Sequence, residues 1–232
     1  MKKILKLIFL YVPLCFVALS LLLVICGKWL PVKVTPLMIK RSVQGTGSLF
    51  EAATRKWIPL EDVSKDLISS VITSEDARFF EHKGFDLVEL EKMQEKHKKK
   101  GSPLRGCSTI SQQTAKNCFT WCSRTWVRKG LEAYYTVLIE TIWGKRRILE
   151  VYFNIVELGP GIYGAEAASQ HYFKCPASKV SLVNASALAC CLPNPLKRTP
   201  DWVKSHMPSR RAEIAAISNQ VRLEYEKPAK KK

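Results

Sequence analysis

Leu60–Phe80 reads LEDVSKDLISSVITSEDARFF. Val63, Leu67, Ile68, Val71 and Ile72 recur at the three- and four-residue spacing that lines one helix face with apolar side chains, and Ser64 or Asp62 is placed to cap the first turn. Glu75 then falls on or just beyond the last turn, where a core helix can hold its side chain at a cleft. Asp76 stands beside it, and Phe79, Phe80, His82 and Gly84 follow. A glutamate partly walled off from water by aromatic rings resists ionising, which moves its proton affinity toward the range useful near neutral pH. The same residues also suit an amphipathic helix end with solvated acids, so the rest of the chain decides.

Downstream, the helical period continues. Leu87–Gly101 contains ELEKMQEKHKKKG, charge-dense and poor in apolar anchors, and reads as a solvated helix or loop. Gly106–Asn117 is GCSTISQQTAKN. With Ser108 as the cap, Thr109, Gln112, Gln113 and Lys116 share one helix face, and a helix start flanked by glycine and hydroxyl residues suits anion binding. Arg124, Arg128 and Lys129 follow closely, a cluster able to neutralise a pyrophosphate. Trp126–Trp143 places Leu131, Tyr134, Tyr135, Leu138, Ile139 and Ile142 on one side. Glu132 lies within helical reach of Arg128 and Lys129, the spacing of a surface ion pair. Lys145–Gly159, KRRILEVYFNIVELG, turns Ile148, Leu149, Tyr152, Phe153 and Val156 inward, with Glu150 and Asn154 as partners in a structural network. Gly161–Phe173 is rich in small residues that let helices approach closely. Ser181–Leu192 is apolar and stops at Pro193-Asn194-Pro195. With no alternating strand pattern outside the linker, the expected fold is mainly α.

Upstream, Lys2, Lys3 and Lys6 precede twenty uncharged residues, Leu7–Cys26. That run spans a hydrocarbon core of ~30 Å as a helix. It is long for a signal-peptide core, and Ile25-Cys26-Gly27-Lys28 is not a clean cleavage site, so it reads as a retained anchor. Lys28, Lys33, Lys40 and Arg41 after the span leave its orientation open. The chain divides into residues 1–27 (N-terminus and anchor), 28–59 (linker with short extended pieces), 60–222 (the main domain) and 223–232 (basic tail). Arg55, Lys56 and Trp57 are expected at the membrane surface.

The 232 residues carry 37 Lys and Arg against 20 Asp and Glu, a formal charge of +17 that points to a polyanionic partner. Nucleic acid is disfavoured because the basic residues cluster with acids and amides around one site in a chain that begins with a membrane span. Six of the eight cysteines lie outside the apolar N-terminal segment. None forms a CxxC pair or a zinc-spaced cluster, and no disulfide framework is expected.

Four blocks in this order, SEDARFFEHKGFD, GCSTISQQTAKN, RKGLE and KRRILEVYFNIVELG, resemble the peptidoglycan glycosyltransferases of family 51, whose loose patterns are EDxxFxxHxG, GxSTITQQxxKN, RKxxE and KxxILExYxNxxxxG. ALACCLPNPLKRTP is similar to the family's closing segment. The resemblance covers roughly residues 60 to 200 and is nearest to the family's monofunctional members. Two positions depart from the pattern: Cys107 stands where a small Gly or Ala is usual, and Ser111 where Thr is common.

This resemblance implies a lysozyme-like glycosyltransferase domain with one N-terminal transmembrane helix, its catalytic side on the periplasmic face of the bacterial inner membrane. The implied substrates are lipid II as acceptor and the growing glycan on undecaprenyl pyrophosphate as donor. The implied reaction inverts the donor carbon and makes a β-1,4 link. Glu75 would be the general base and Glu132 a second essential acid. Lys116 and Arg124 would neutralise the leaving pyrophosphate, Ser108, Gln113, Arg128 and Lys129 would line the donor site, and Asp76, Phe79, His82, Gly84, Thr109, Gln112 and Asn117 would shape it. No obligatory cofactor is implied, with Mg2+ or Mn2+ at the pyrophosphate left open. Other partners are the membrane and proteins of wall synthesis or division. A hydrolytic relative would also employ a lone glutamate among aromatics but has no need of the basic set. A non-enzymatic membrane scaffold would have no need of Glu75, Glu132, Lys116 and Arg124 together.

Overall fold

The computed structural model describes residues 2–101, 108–123, 125–221 and 223. Cys107, Arg124 and the basic tail from 224 onward lie outside the described residues. The helices run α1 (Lys2–Trp29), α2 (Pro36–Val43), α3 (Leu49–Thr54), α4 (Lys65–Glu75), α5 (Leu87–Lys100), α6 (Ile110–Phe119), α7 (Trp126–Ile142), α8 (Gly144–Ile155), α9 (Ala165–Phe173), α10 (Leu182–Cys191), α11 (Pro200–His206) and α12 (Pro208–Ser218). Between α8 and α9, β1 (Glu157–Gly159) and β2 (Ile162–Tyr163) form an antiparallel hairpin that pairs Glu157 with Tyr163 and Gly159 with Ile162. The small-residue stretch expected to bring helices together therefore begins in a hairpin.

Helix α8 is the centre of the domain, because every residue from Ile148 to Ile155 is buried. A fully buried Ile, Leu or Phe contributes ~1.5–3 kcal/mol, several times an exposed ion pair, so this helix organises its neighbours by its apolar surface. Helix α4 starts at Ser64, whose hydroxyl accepts from the Leu67 N–H at 3.1 Å, and buries Leu67, Ile68, Val71 and Ile72. It packs on α10, which is apolar almost all round, and on α12.

The stretch 28–59 differs from the expected extended pieces. Thr35 caps α2 with Pro36 in its first turn, Ser48 caps α3, and Met38, Ala52 and Ile58 are buried. Arg55 is half-buried. Its guanidinium donates to the carbonyls of Asn154 and Val32 at 2.8 Å each, and to those of Lys33 and Ala52. Burial pushes its pKa down to about 10. Asn154 completes the latch: its amide donates to the Ile58 and Glu150 carbonyls at 2.8 Å each, and its carbonyl accepts from the Ile58 N–H at 3.0 Å. Asn154→Ala strands both backbone groups of buried Ile58, at ~1–3 kcal/mol each. The expected loss of roughly 2–6 kcal/mol is read as a drop in urea midpoint, and an unchanged midpoint would contradict this account of the latch.

Phe9–Trp29 of α1 is long and apolar enough to cross a membrane. It is docked rather than tethered. Ser20 Oγ and the Tyr134 hydroxyl are 2.6 Å apart, Trp143 Nε1 donates to the Val24 carbonyl at 2.7 Å, and Arg147 donates to the carbonyls of Gly27 at 2.9 Å and Leu30 at 2.6 Å. Gly27 makes the approach feasible, since a Cβ there would sit 2.7 Å from the Trp143 ring. Arg147 thus caps the end of the span, a cation against the carbonyl end of the helix dipole.

Candidate active site

Glu75 is the last residue of α4, and the backbone breaks from the helix at Asp76. Asp76 is buried, and its carboxylate has two jobs: Oδ1 is 2.8 Å from His82 Nε2, and Oδ2 accepts the Ile110 N–H at 2.9 Å. That amide is the first of α6, so a carboxylate sits at the positive end of the α6 dipole and fixes α6 against α4. His82 Nδ1 accepts from the Gly84 N–H at 3.1 Å, which leaves Nε2 to carry the hydrogen toward Asp76. His82 is therefore a bracket rather than a proton carrier. Gly84 has φ +92, and a Cβ would lie 2.7 Å from Thr136 Cγ2; its carbonyl accepts from Thr109 Oγ1 at 2.7 Å. Phe79 is fully buried, edge-on to Phe80 and His82, with the Lys145 ammonium 4.3 Å from its ring centre.

Thr109, not Ser108, caps α6. Thr109 Oγ1 accepts from the Gln112 N–H and Gln112 Oε1 accepts from the Thr109 N–H, both at 3.1 Å. Gln112 thereby folds back into the cap and leaves the stripe expected for it, while Ser108 lies exposed at the rim. Gln113 remains. Its Nε2 donates to Glu75 Oε2 at 2.9 Å, and its Oε1 accepts from the buried Tyr152 hydroxyl at 3.4 Å, which fixes the amide's orientation. Burial raises the Glu75 pKa above the ordinary 4.5, with the Gln113 hydrogen bond opposing and the Asp76 charge adding to the rise.

Glu75 and Lys116 line two separate cavities. One, of about 250 Å³, is lined by Ser74, Glu75, Arg78, Asp86, Ser108 and Arg210 among others. Arg210 comes from α12, more than a hundred residues downstream of Glu75, and no local pattern in the sequence singles it or Arg78 out. The other, of about 400 Å³, holds Lys116, Asn117 and Arg128 together with Lys40 and Arg41 of α2. Lys116 stands one turn beyond Gln113. It is exposed to the cleft, yet the surrounding protein lowers its ammonium pKa, with Glu132 opposing.

Glu132 is buried, unlike the surface pair that its spacing suggests, and its two oxygens accept from Arg128 and Lys129. It thereby holds both cations in place. Arg128 Nε is buried with no hydrogen-bond partner, an unspent donor at the wall of the basic cavity. Among the described residues no group of three or more His, Cys, Asp and Glu is placed to hold a metal ion. The described lining of the basic cavity holds no carboxylate oxygens, which hard divalent cations prefer.

The transglycosylase family profile matches residues 42–219, from the end of α2 onward. The chain belongs to this transglycosylase family. It is 47% identical over 202 residues to the biosynthetic peptidoglycan transglycosylase of Bdellovibrio bacteriovorus, a match covering 87% of this chain and 80% of that one. Identity to the protein of that name from Caulobacter vibrioides is 48% over 196 residues, 84% of this chain and 83% of the relative. For that of Bacteroides thetaiotaomicron it is 45% over 208 residues, with 89% and 83% covered. The helical transglycosylase domain is thus of the lysozyme-like glycosyltransferase class, and the enzyme is a peptidoglycan glycosyltransferase. Residues 42–59, expected as linker, fall inside the matched region.

Proposed function

We propose that this transglycosylase polymerises lipid II into β-1,4-linked glycan strands and releases undecaprenyl pyrophosphate, with α1 as a single-pass anchor and the catalytic domain on the periplasmic side. One observation carries the reading: the hydrogen bond of 2.9 Å that joins Glu75 to Gln113, with Lys116 one turn further along the same helix. Three residues of helix rise ~4.5 Å, so a base and a cation for the leaving group are presented from adjacent cavities.

In this reading the acceptor sits in the Glu75 cavity and the donor diphosphate in the basic one. The ionised Glu75 takes the proton from the acceptor's 4-hydroxyl as that oxygen bonds to the donor's anomeric carbon. The bond from that carbon to the diphosphate oxygen breaks, and its electron pair leaves with the diphosphate, whose charge meets Lys116, Arg128 and Arg124. A single displacement between base and leaving group inverts the carbon. Glu132 acts through Arg128 and Lys129, holding Arg128 at the wall of the donor cavity, which Asn117 also lines, while Ser108 lines the acceptor's. Because the diphosphate is met by protein cations, no step is routed through a divalent ion. Proteins of wall synthesis or division remain proposed partners.

The hydrolytic alternative would work with a lone glutamate and has no need of a cavity walled by Lys40, Arg41, Lys116 and Arg128. Lipid II lacking the sugar 4-hydroxyl separates the two outcomes. Transfer predicts no consumption of that analogue alone and one diphosphate released per link with normal lipid II; equal release from both would show hydrolysis.

A pH profile checks the base. Glu75 must be ionised to act, so kcat/KM falls as pH drops through its pKa, which lies above the ordinary 4.5. The Gln113 hydrogen bond favours the carboxylate, so Gln113→Ala moves the acidic limb to higher pH. A limb unmoved or moved to lower pH would contradict the assignment.

A further inference from the structure

Resting on the proposed polymerisation of lipid II, we propose that Lys40 is a further donor-binding residue, through which the juxtamembrane helix α2 closes the diphosphate site. Helix α2 presents Leu37, Lys40 and Arg41 to the basic cavity at i, i+3 and i+4, on one face. Its other side exposes Ile39 and Val43. The helix is fixed to the core, because Arg41 donates to both oxygens of buried Glu157 at 2.9 Å and Met38 is buried. The span ends at Trp29, and Arg147 clamps that end, so α2 stands where the anchor leaves the bilayer.

Charge within the cavity singles Lys40 out. Among its described lining residues four are cations and none is acidic. Arg41 is matched by Glu157 and Arg128 by Glu132. Among the described residues that leaves Lys40 and Lys116 as the two lining cations outside an ion pair, one on each wall. The Lys40 ammonium reaches across to the Cys122 carbonyl at 3.4 Å, a weak contact that a phosphate oxygen displaces at little cost. Two unpaired ammonium groups facing one cavity match a ligand with two adjacent negative phosphates.

The experiment uses the full chain with fluorescent lipid II in neutral detergent micelles. Lys40 is exposed on a short helix, so Lys40→Ala leaves the fold intact. The expected result is a KM raised roughly tenfold, the worth of one charge-assisted hydrogen bond, with kcat within about twofold and with Lys40→Arg restoring most of the loss. Inhibition by added undecaprenyl pyrophosphate weakens by the same factor. Sedimentation with phosphatidylglycerol vesicles lacking lipid II should not distinguish Lys40→Ala from wild type. An unchanged KM in micelles would overturn the proposal, and so would a defect confined to the anionic vesicles, which would make Lys40 a membrane-surface cation. Wild type that does not consume lipid II would defeat the parent reading. Wild type that consumes it and responds to Lys116→Ala but not to Lys40→Ala would defeat this inference alone.

Discussion

Glu75→Gln is expected to slow lipid II polymerisation by about 10²–10⁴-fold, the range a positioned general base contributes. The substitution keeps the side chain's size, so α4 and the Gln113 contact retain their packing partners. It also removes a charge that burial disfavours. Because the folded-state pKa is raised, the folded protein holds the Glu75 proton more tightly than the unfolded chain. Ionising Glu75 therefore costs stability as pH rises from the unfolded value through the folded one. At neutral pH the variant should unfold at the same temperature as wild type or slightly higher while losing activity. An inactive variant that also unfolds early would show that Glu75 is structural. A stable variant with wild-type turnover would show that another group takes the proton.

Lys116→Ala is expected to cost about 10²–10³-fold in kcat/KM, comparable to removing one preorganised group that meets charge developing in the transition state. The protein around Lys116 resists its charge in the empty cavity, which is why its pKa is lowered, and an anionic leaving group supplies the compensation. The deficit should therefore appear with lipid II and not as a loss of stability. Lys116→Arg should recover part of the rate, since the charge returns on a longer, forked head. Retained activity in the alanine variant would remove the electrostatic half of the mechanism.

Much of this was legible in the residues. The period of α4 fixed which face is buried, and Glu75 stands at the helix end where the spacing placed it; α7 buries Tyr135 and Ile139 of its expected face together with Glu132 and Thr136, leaving Leu131, Tyr134, Leu138 and Ile142 half-buried, and α8 is buried all round from Ile148 to Ile155. Glu150 and Asn154 do form a structural network, joined to Trp57, Arg147 and Ile58. The stretch 28–59 misled because Pro31, Pro36, Gly45 and Gly47 read as breakers, whereas Pro36 occupies a helix first turn, where a missing N–H costs nothing. The α6 cap was readable: Thr109 has a glutamine three residues on, the capping-box spacing, and Ser108 does not. Other features had no local signal. Asp76 reaches the Ile110 amide 34 residues away, Arg210 arrives from α12, and Lys40 from α2. Such contacts depend on how helices pack, and a pattern read within one helix does not contain them. Glu132 shows the same limit from the other side, since its spacing is that of a surface pair and its burial comes from the neighbouring helices.

The central claim is that this site joins sugars and does not cut them. The most direct measurement incubates the purified full chain, in parallel, with fluorescent lipid II and with finished, uncrosslinked glycan strands, and resolves the products by size on gels. The account predicts a ladder of lengthening strands from lipid II, digestible by a muramidase, and no shortening of the finished glycan. Shortened glycan with no ladder from lipid II would contradict it.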